Sequence, residues 1–340
     1  MVGSKRFSKR GRHMETFSFG KYFGEINILA DLQFMPGEKP YIDRPSQAPE
    51  PKDLLLYLGC NVLRTAHLVK TVVSVLKGMG FDFNTAGGPA HCCGIIHHLN
   101  NDPKGARTFA ANSMQHFAKY GAKKVLMWCP SCQGHYDEVV SKEQEVAFPY
   151  EHVTAFIARH LDRVPFVRRI ERRVAMHYHT GHAQSNLDWQ NTRTILRAIP
   201  GLDLIDVENP ASLGRHCTPK WIGQIGRPQW RKEIASILDA ARESRADVLA
   251  TIYHSCHREI CENEARNPFE IVNYISLLGE AMGIENPDVY KRYKLSADPD
   301  ATFKEVQAYV QANNLDPDRV REVLRNAFAP AREPETSNPS

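Results

Sequence analysis

Residues 54–61, LLLYLGCN, form a short apolar run that ends in glycine and cysteine. A continuous apolar run of this length fits a strand buried on both faces, as in a parallel sheet covered by helices. Such a strand puts Cys60 at its carboxyl end, where open α/β sheets place their chemistry. Residues 90–98 (AHCCGIIHH) and 125–134 (VLMWCPSCQG) carry the pattern onward, setting Cys60, Cys92, Cys93, Cys129 and Cys132 in a C-x31-CC-x35-C-x2-C array. The array takes five of the eight cysteines, and Gly94 and Pro130 turn the chain beside the two tight pairs.

The segments between these stretches alternate helix and strand. Val62, Ala66, Val69, Val73 and Leu76 recur at three- and four-residue steps and predict an amphipathic helix that Gly78 and Gly80 stop. FDFNTAGGPA follows as a strand and a loop, and Cys92 and Cys93 lie in that loop. Asp102–Pro103 is a helix start, with Ala106, Phe109, Ala110, Met114 and Phe117 as the buried stripe. KKVLMW is the next strand, with Cys129 at its end and Cys132 leading into a helix.

Thiolates are the ligands of iron–sulfur clusters and of zinc, and a CxxC loop lets two sulfurs converge on one metal. Five sulfurs exceed a tetrahedral zinc, whereas neighbours such as Cys92 and Cys93 can serve two different irons or bridge them. The competing readings are a disulfide pair with spare buried thiols, or a structural zinc with one bystander. His91, His97 and His98 flank the pair, either as surface or capping residues or as proton donors to a substrate sulfur.

The array resembles the CCG, or cysteine-rich, domain of the B-type heterodisulfide reductase subunits, whose pattern is a cysteine, a Cys-Cys-Gly and a CPxC-like pair. Cys60, Cys92, Cys93 with Gly94, Cys129 and Cys132 match every position. The resemblance implies a noncubane [4Fe-4S] cluster held by those five cysteines as the active centre, working on thiol or disulfide sulfur. It also implies a second CCG domain in the same chain. As partners it implies a small ferredoxin-like iron–sulfur subunit and a flavin subunit.

From about Tyr150 the order of elements repeats: strand VAMHYH, a helix around 194–199, strand LDLIDVE, a long helix through Ile234, Ile237 and Ala241, then strand DVLATIY. Aligning HTGH with YLGC, RHCT with HCCG and YHSC with CPSC sets His182, His216, Cys217, Tyr253 and Cys256 opposite the five cysteines. Thirty-five residues separate Cys217 from Tyr253, as they separate Cys93 from Cys129. Only Cys217 and Cys256 keep a sulfur. The candidate second site is therefore His182, His216, Cys217 and Cys256, with His177, His179, His254, His257 and Cys261 nearby. Three outcomes stay open there: zinc, a mixed-ligand iron–sulfur cluster, or an empty pocket. The lost thiolates suit a relative of the sulfur-oxidising kind, with sulfur bound to a carrier as its substrate.

The chain of 340 residues has 42% hydrophobic and 24% charged residues, ordinary for a globular protein, and can bury one large core or two. Its net charge of +4 is too mild to suggest nucleic acid. No run of about 18 apolar residues predicts a membrane span, and the N-terminus lacks the apolar core of a secretory signal. Clustered thiols without such a signal point to a reducing compartment, with the cytoplasm as default. Residues 1–13 are basic, carrying Lys5, Arg6, Lys9, Arg10 and Arg12.

The expected fold is α/β, two Rossmann-like CCG subdomains related by pseudo-two-fold symmetry, with helical C-terminal additions. The expected divisions are 1–50, a basic tail and extended arm; 51–148, the first CCG domain; 149–285, a second, degenerate CCG domain; and 286–340, C-terminal helices and a tail. The expected function is the iron–sulfur catalytic subunit of a heterodisulfide reductase-like complex, acting on thiol, disulfide or sulfur on a carrier protein. The alternatives are an electron-transfer subunit of a hydroxy-acid (glycolate or lactate) oxidase, and a zinc-stabilised non-catalytic assembly module.

Overall fold

Two four-stranded parallel sheets carry the computed structural model, which describes residues 17–44, 46 and 49–329. The basic run 1–13 and the tail from 332 lie outside the described residues. In the first sheet, β1 (Leu54–Gly59) pairs with β2 (Asn84–Gly87) and β3 (Lys124–Met127), and β3 pairs with β4 (Tyr150–His152), giving the order β2-β1-β3-β4. In the second, β5 (Arg173–His177), β6 (Asp203–Ile205), β7 (Val248–Thr251) and β8 (Glu270–Asn273) take the order β6-β5-β7-β8. The two orders are one topology used twice, so the fold is the expected pair of Rossmann-like α/β subdomains.

Parallel strands buried on both faces need apolar residues on both, and β1 supplies Leu55, Leu56, Tyr57 and Leu58, all fully buried. Helix Ala66–Gly78, the expected amphipathic helix, packs on helix Tyr274–Ala281 of the second half. The approach is close. A Cβ at Gly279 would meet Thr71 Cγ2 at 2.8 Å, and one at Gly78 would meet Met282 Cε at 2.8 Å. One buried cluster runs from Ile26 through both sheets to Phe328, so the halves share a core.

Three expectations on the periphery are corrected. The arm expected to be extended contains helix Phe19–Asp31, started by Ser18, whose side chain accepts from Lys21 N–H. The prolines from Pro36 onward end helical structure only after Leu32, and Ile26, Leu29 and Ala30 at helical spacing bury against the first half. The division expected after 148 leaves β4 on the wrong side: it pairs with β3 and completes the first sheet. By symmetry its counterpart is β8, carved from the start of an apolar run, 269–283, whose Ile271, Ile275, Leu278 and Met282 at helical spacing predict a helix. Ile271 and Val272 are β-branched and pair with β7, and Asn273 then caps helix Tyr274–Ala281 by accepting from Ile275 N–H. The expected C-terminal helix forms at Pro317–Phe328 and buries Val320, Val323, Leu324 and Phe328.

Candidate metal centres

The carboxyl ends of the two sheets face each other. Ser131, between Cys129 and Cys132, shares a 2.9 Å hydrogen bond with Nε2 of His216, beside Cys217. Each half therefore presents residues beside its cysteines to the same seam.

In the first half Cys60 follows β1, Cys92 and Cys93 sit in the loop after β2, and Cys129 and Cys132 flank the start of helix Pro130–His135. All five are free thiols and none is more than 6% exposed. Neighbouring thiols bias one another's ionisation: Cys60 with Cys92, Cys92 with Cys93, Cys93 with Cys132, and Cys132 with Cys129. The Cys60 thiol beside it, together with Gly94 N–H donating to its Sγ at 3.4 Å, helps hold Cys92 well below the usual thiol range. Cys129 is lowered by the Cys132 thiol, while Cys132, Cys60 and the deeply buried Cys93 are pushed up. Beyond Cys60, Arg64 and Arg258 both donate to Asn61 Oδ1, at 3.0 and 2.7 Å, and place two cations there.

The backbone approaches the CxxC closely. Gly59 takes a φ of +74°, and a Cβ there would lie 3.0 Å from Cys132 Sγ and 3.1 Å from Cys129 Cβ. Glycine is required on both counts: the left-handed conformation and the clearance over the CxxC sulfurs. Tyr57 Oη, below it, accepts from the Cys132 thiol at 3.7 Å and donates to His91 O.

The flanking histidines divide. Both ring nitrogens of His91 are used, on Gly87 O and Tyr120 Oη, and burial pushes its pKa down to about 4, so it braces the loop rather than donating protons. His97 is clamped between the rings of Phe19 and Phe109, centroids 4.1 and 4.4 Å away, with Nδ1 on Asp102. His98 is exposed.

The second half holds a different set. His177, His179, Cys217 and Cys256 are all buried, and their donor atoms all lie within 4.8 Å of one another. His179 Nε2 is 3.2 Å from Cys256 Sγ and 3.7 Å from Cys217 Sγ, and His177 Nε2 is 3.4 Å from Cys217 Sγ. The set corrects the expected one. His182 instead caps helix Ala183–Ala198 by accepting from Gln184 N–H, and pairs with Glu138 at 3.0 Å. His216 spends its Nε2 on Ser131. The register of β5 differs by two residues from the alignment of HTGH with YLGC. Tyr57 pairs with Met127 and His177 with Thr251, two residues before Cys129 and Tyr253 respectively. The counterparts of Tyr57 and Gly59 are therefore His177 and His179. The alternation of β5 already placed these two on one face.

Tyr253, the counterpart of Cys129, donates to Asp188 Oδ2 at 2.7 Å. Thr154 donates to the other oxygen at 2.8 Å, and His152 lies 3.2 Å from it. A second group of donors within 4.8 Å, His67, His257 and Asp288, joins both halves to the C-terminal region. Among the described residues the five-cysteine set is not one of these compact groups. Cys261 is buried and lies apart from the tetrad, its thiol pushed up to about 12 by burial.

Residues 54–137 match the family model of the CCG cysteine-rich domain. The chain is 26% identical over 288 residues to the D-type subunit of dihydromethanophenazine:CoB–CoM heterodisulfide reductase from Methanosarcina mazei, covering 77% of this chain and 69% of that protein. It is 24% identical over 246 residues to the protein of the same name from Methanosarcina barkeri, covering 68% of this chain and 59% of that one. A hypothetical protein from Helicobacter pylori matches in fold, with a TM-score of 0.50 and 11% identity over 77% of this chain and 54% of that one.

Proposed function

We propose that this chain, whose residues 54–137 form a CCG cysteine-rich domain, is the iron–sulfur catalytic subunit of a heterodisulfide reductase-like complex. Its substrate is thiol or disulfide sulfur, or sulfur carried on a partner protein. The observation that carries this reading is the set of five buried thiols brought together from three strand ends, with Gly59 packed close over the CxxC.

The donor set fits a multi-iron cluster better than one ion. A single tetrahedral metal takes four donors, whereas this half brings five buried thiols together from three strand ends. Cys60, Cys92, Cys93, Cys129 and Cys132 would hold a [4Fe-4S] cluster of the noncubane type. When bound, such a cluster exchanges electrons with substrate sulfur.

The protein's own groups prepare that chemistry. Gly94 N–H and the neighbouring thiols favour the thiolate form at Cys92. Arg64 and Arg258 supply positive charge at the Cys60 end, which favours an anionic thiolate substrate there. Electrons must come from elsewhere, because the chain has no ferredoxin-type C-x2-C-x2-C run. A small ferredoxin-like iron–sulfur subunit and a flavin subunit are the partners this reading requires. It places the protein in the cytoplasm, and among the described residues no helix is long and apolar enough to cross a membrane.

Electron paramagnetic resonance on anaerobically purified protein, with and without a thiol, tests the proposal. An iron–sulfur signal that shifts on thiol addition is expected. Iron-free protein, or a signal indifferent to thiol, overturns it.

A further inference from the structure

We propose that His177, His179, Cys217 and Cys256 bind a single tetrahedral zinc ion in a closed, structural site. The proposal does not depend on the redox reading of the first half.

The distances carry it. With zinc–sulfur bonds near 2.3 Å and zinc–nitrogen bonds near 2.0–2.1 Å, the edges of a zinc tetrahedron are about 3.3–3.8 Å. The separations between nitrogen and sulfur donors here are 3.2, 3.4 and 3.7 Å. Two hydrogen bonds, His179 Nε2 with Cys256 and Cys217 with His177 Nε2, would leave the approach of His179 Nε2 to Cys217 unused, whereas one tetrahedral ion uses all four donors at once. His179 Nε2 faces both sulfurs, and one ring N–H cannot serve two acceptors well. Each of the four residues is 1% exposed, so the site is closed to bulk solvent.

The same distances exclude a multi-iron core. Donors bound to different irons are separated by a metal–metal spacing in addition to their own bonds, and no pair in this set exceeds 4.8 Å. Two nitrogens with two sulfurs is a zinc donor set, and four protein ligands leave no open position for substrate. The ion would tie the end of β5 to the loop after β6 and to helix His254–Ile260.

The fold shows how the site arose. In the first half Gly59 packs close over Cys132 and brings no donor; in the second its counterpart His179 places Nε2 3.2 Å from Cys256 Sγ and adds a donor. Closing the tetrad also fixes the loop bearing His216, and through it Ser131 of the first half's CPSC loop.

Elemental analysis and zinc-edge X-ray absorption on the full chain, purified anaerobically, test the assignment. One equivalent of zinc with two sulfur and two nitrogen neighbours is expected. Cys256→Ser and His179→Ala should each lose that zinc and keep the iron. Protein reconstituted with cobalt should show intense tetrahedral ligand-field bands with sulfur-to-cobalt charge transfer. Should both variants fail to fold, the wild-type absorption spectrum decides alone. Zinc-free wild-type protein, a zinc with three or four sulfurs, or iron lost together with Cys256 overturns the proposal.

Discussion

The two halves wind the same four parallel strands in the same order, yet one ends in five sulfurs and the other in two sulfurs and two imidazoles. The difference rests on few positions. Where β1 leads through Tyr57 and Gly59 to Cys60, β5 leads through His177 and His179 to Thr180; where the first CxxC has Cys129, the second half has Tyr253 turned onto Asp188. A shared backbone thus supports five soft thiol ligands on one side and a mixed nitrogen and sulfur tetrad on the other. What decides between them is whether the strand-end position over the CxxC-derived sulfur is kept bare or filled.

The largest test of this contrast is to remove thiols from one side at a time. Cys92→Ser with Cys93→Ser should lower iron and acid-labile sulfide by tenfold or more while zinc stays at one equivalent, measured on the same samples.

Next comes the buried junction that makes the halves one folding unit. Asp188 is buried with His152, Thr154 and Tyr253 around it, so Asp188→Asn should cost about 3–5 kcal/mol in denaturant unfolding, the cost typical of breaking a buried pair. Two separated unfolding transitions in the wild type would contradict the shared core.

The pH dependence of that junction has a definite sign. Burial opposes both charges, but the Asp188 carboxylate raises His152 and the His152 ring helps hold Asp188 below its usual range. The carboxylate's contribution is present above the ordinary Asp value, about 3.9, and is lost as pH falls through its depressed value. The imidazole's contribution is present below the ordinary His value, about 6.5, and is lost as pH rises through its raised value. Wild-type stability minus that of Asp188→Asn should therefore be greatest between about pH 4 and 6.5.

A smaller effect is expected at Gly59. In Gly59→Ala the positive φ costs about 1–2 kcal/mol, and the new methyl crowds Cys132 Sγ. Reduced iron loading with unchanged zinc is the expected result. Smallest of all, His182→Ala removes a helix cap and a half-exposed ion pair to Glu138, so it should cost about 1 kcal/mol or less and leave both metals in place. A loss of zinc in this variant would restore the ligand set that the sequence alone suggested.

Much of the first half was legible in the sequence because each signal was local. An apolar run ending in Gly-Cys is a strand end, and five clustered cysteines announce a soft-ligand site whatever the details of packing. The duplication was legible from the 35-residue spacing, which survives although its residues changed. The second ligand set was misplaced because HTGH resembles YLGC in its glycine, and that likeness shifted the strand by two residues. A two-residue shift preserves the strand's alternation, so only the pairing of β5 with β7 exposes the error. Helix Phe19–Asp31 was overlooked because the prolines after it dominated the segment, although Ser18 and the spacing of Tyr22, Ile26 and Leu29 signalled it. Strand β8 was hidden in an apolar run whose helical continuation masked its first four residues.

The contrast between the halves is tested most directly by iron, sulfide and zinc analysis of two anaerobically purified variants, Cys93→Ser and Cys217→Ser. The account predicts that the first loses iron and sulfide but keeps zinc, and that the second loses zinc but keeps iron and sulfide. Iron retained without Cys93, or both metals lost together from either variant, would contradict it.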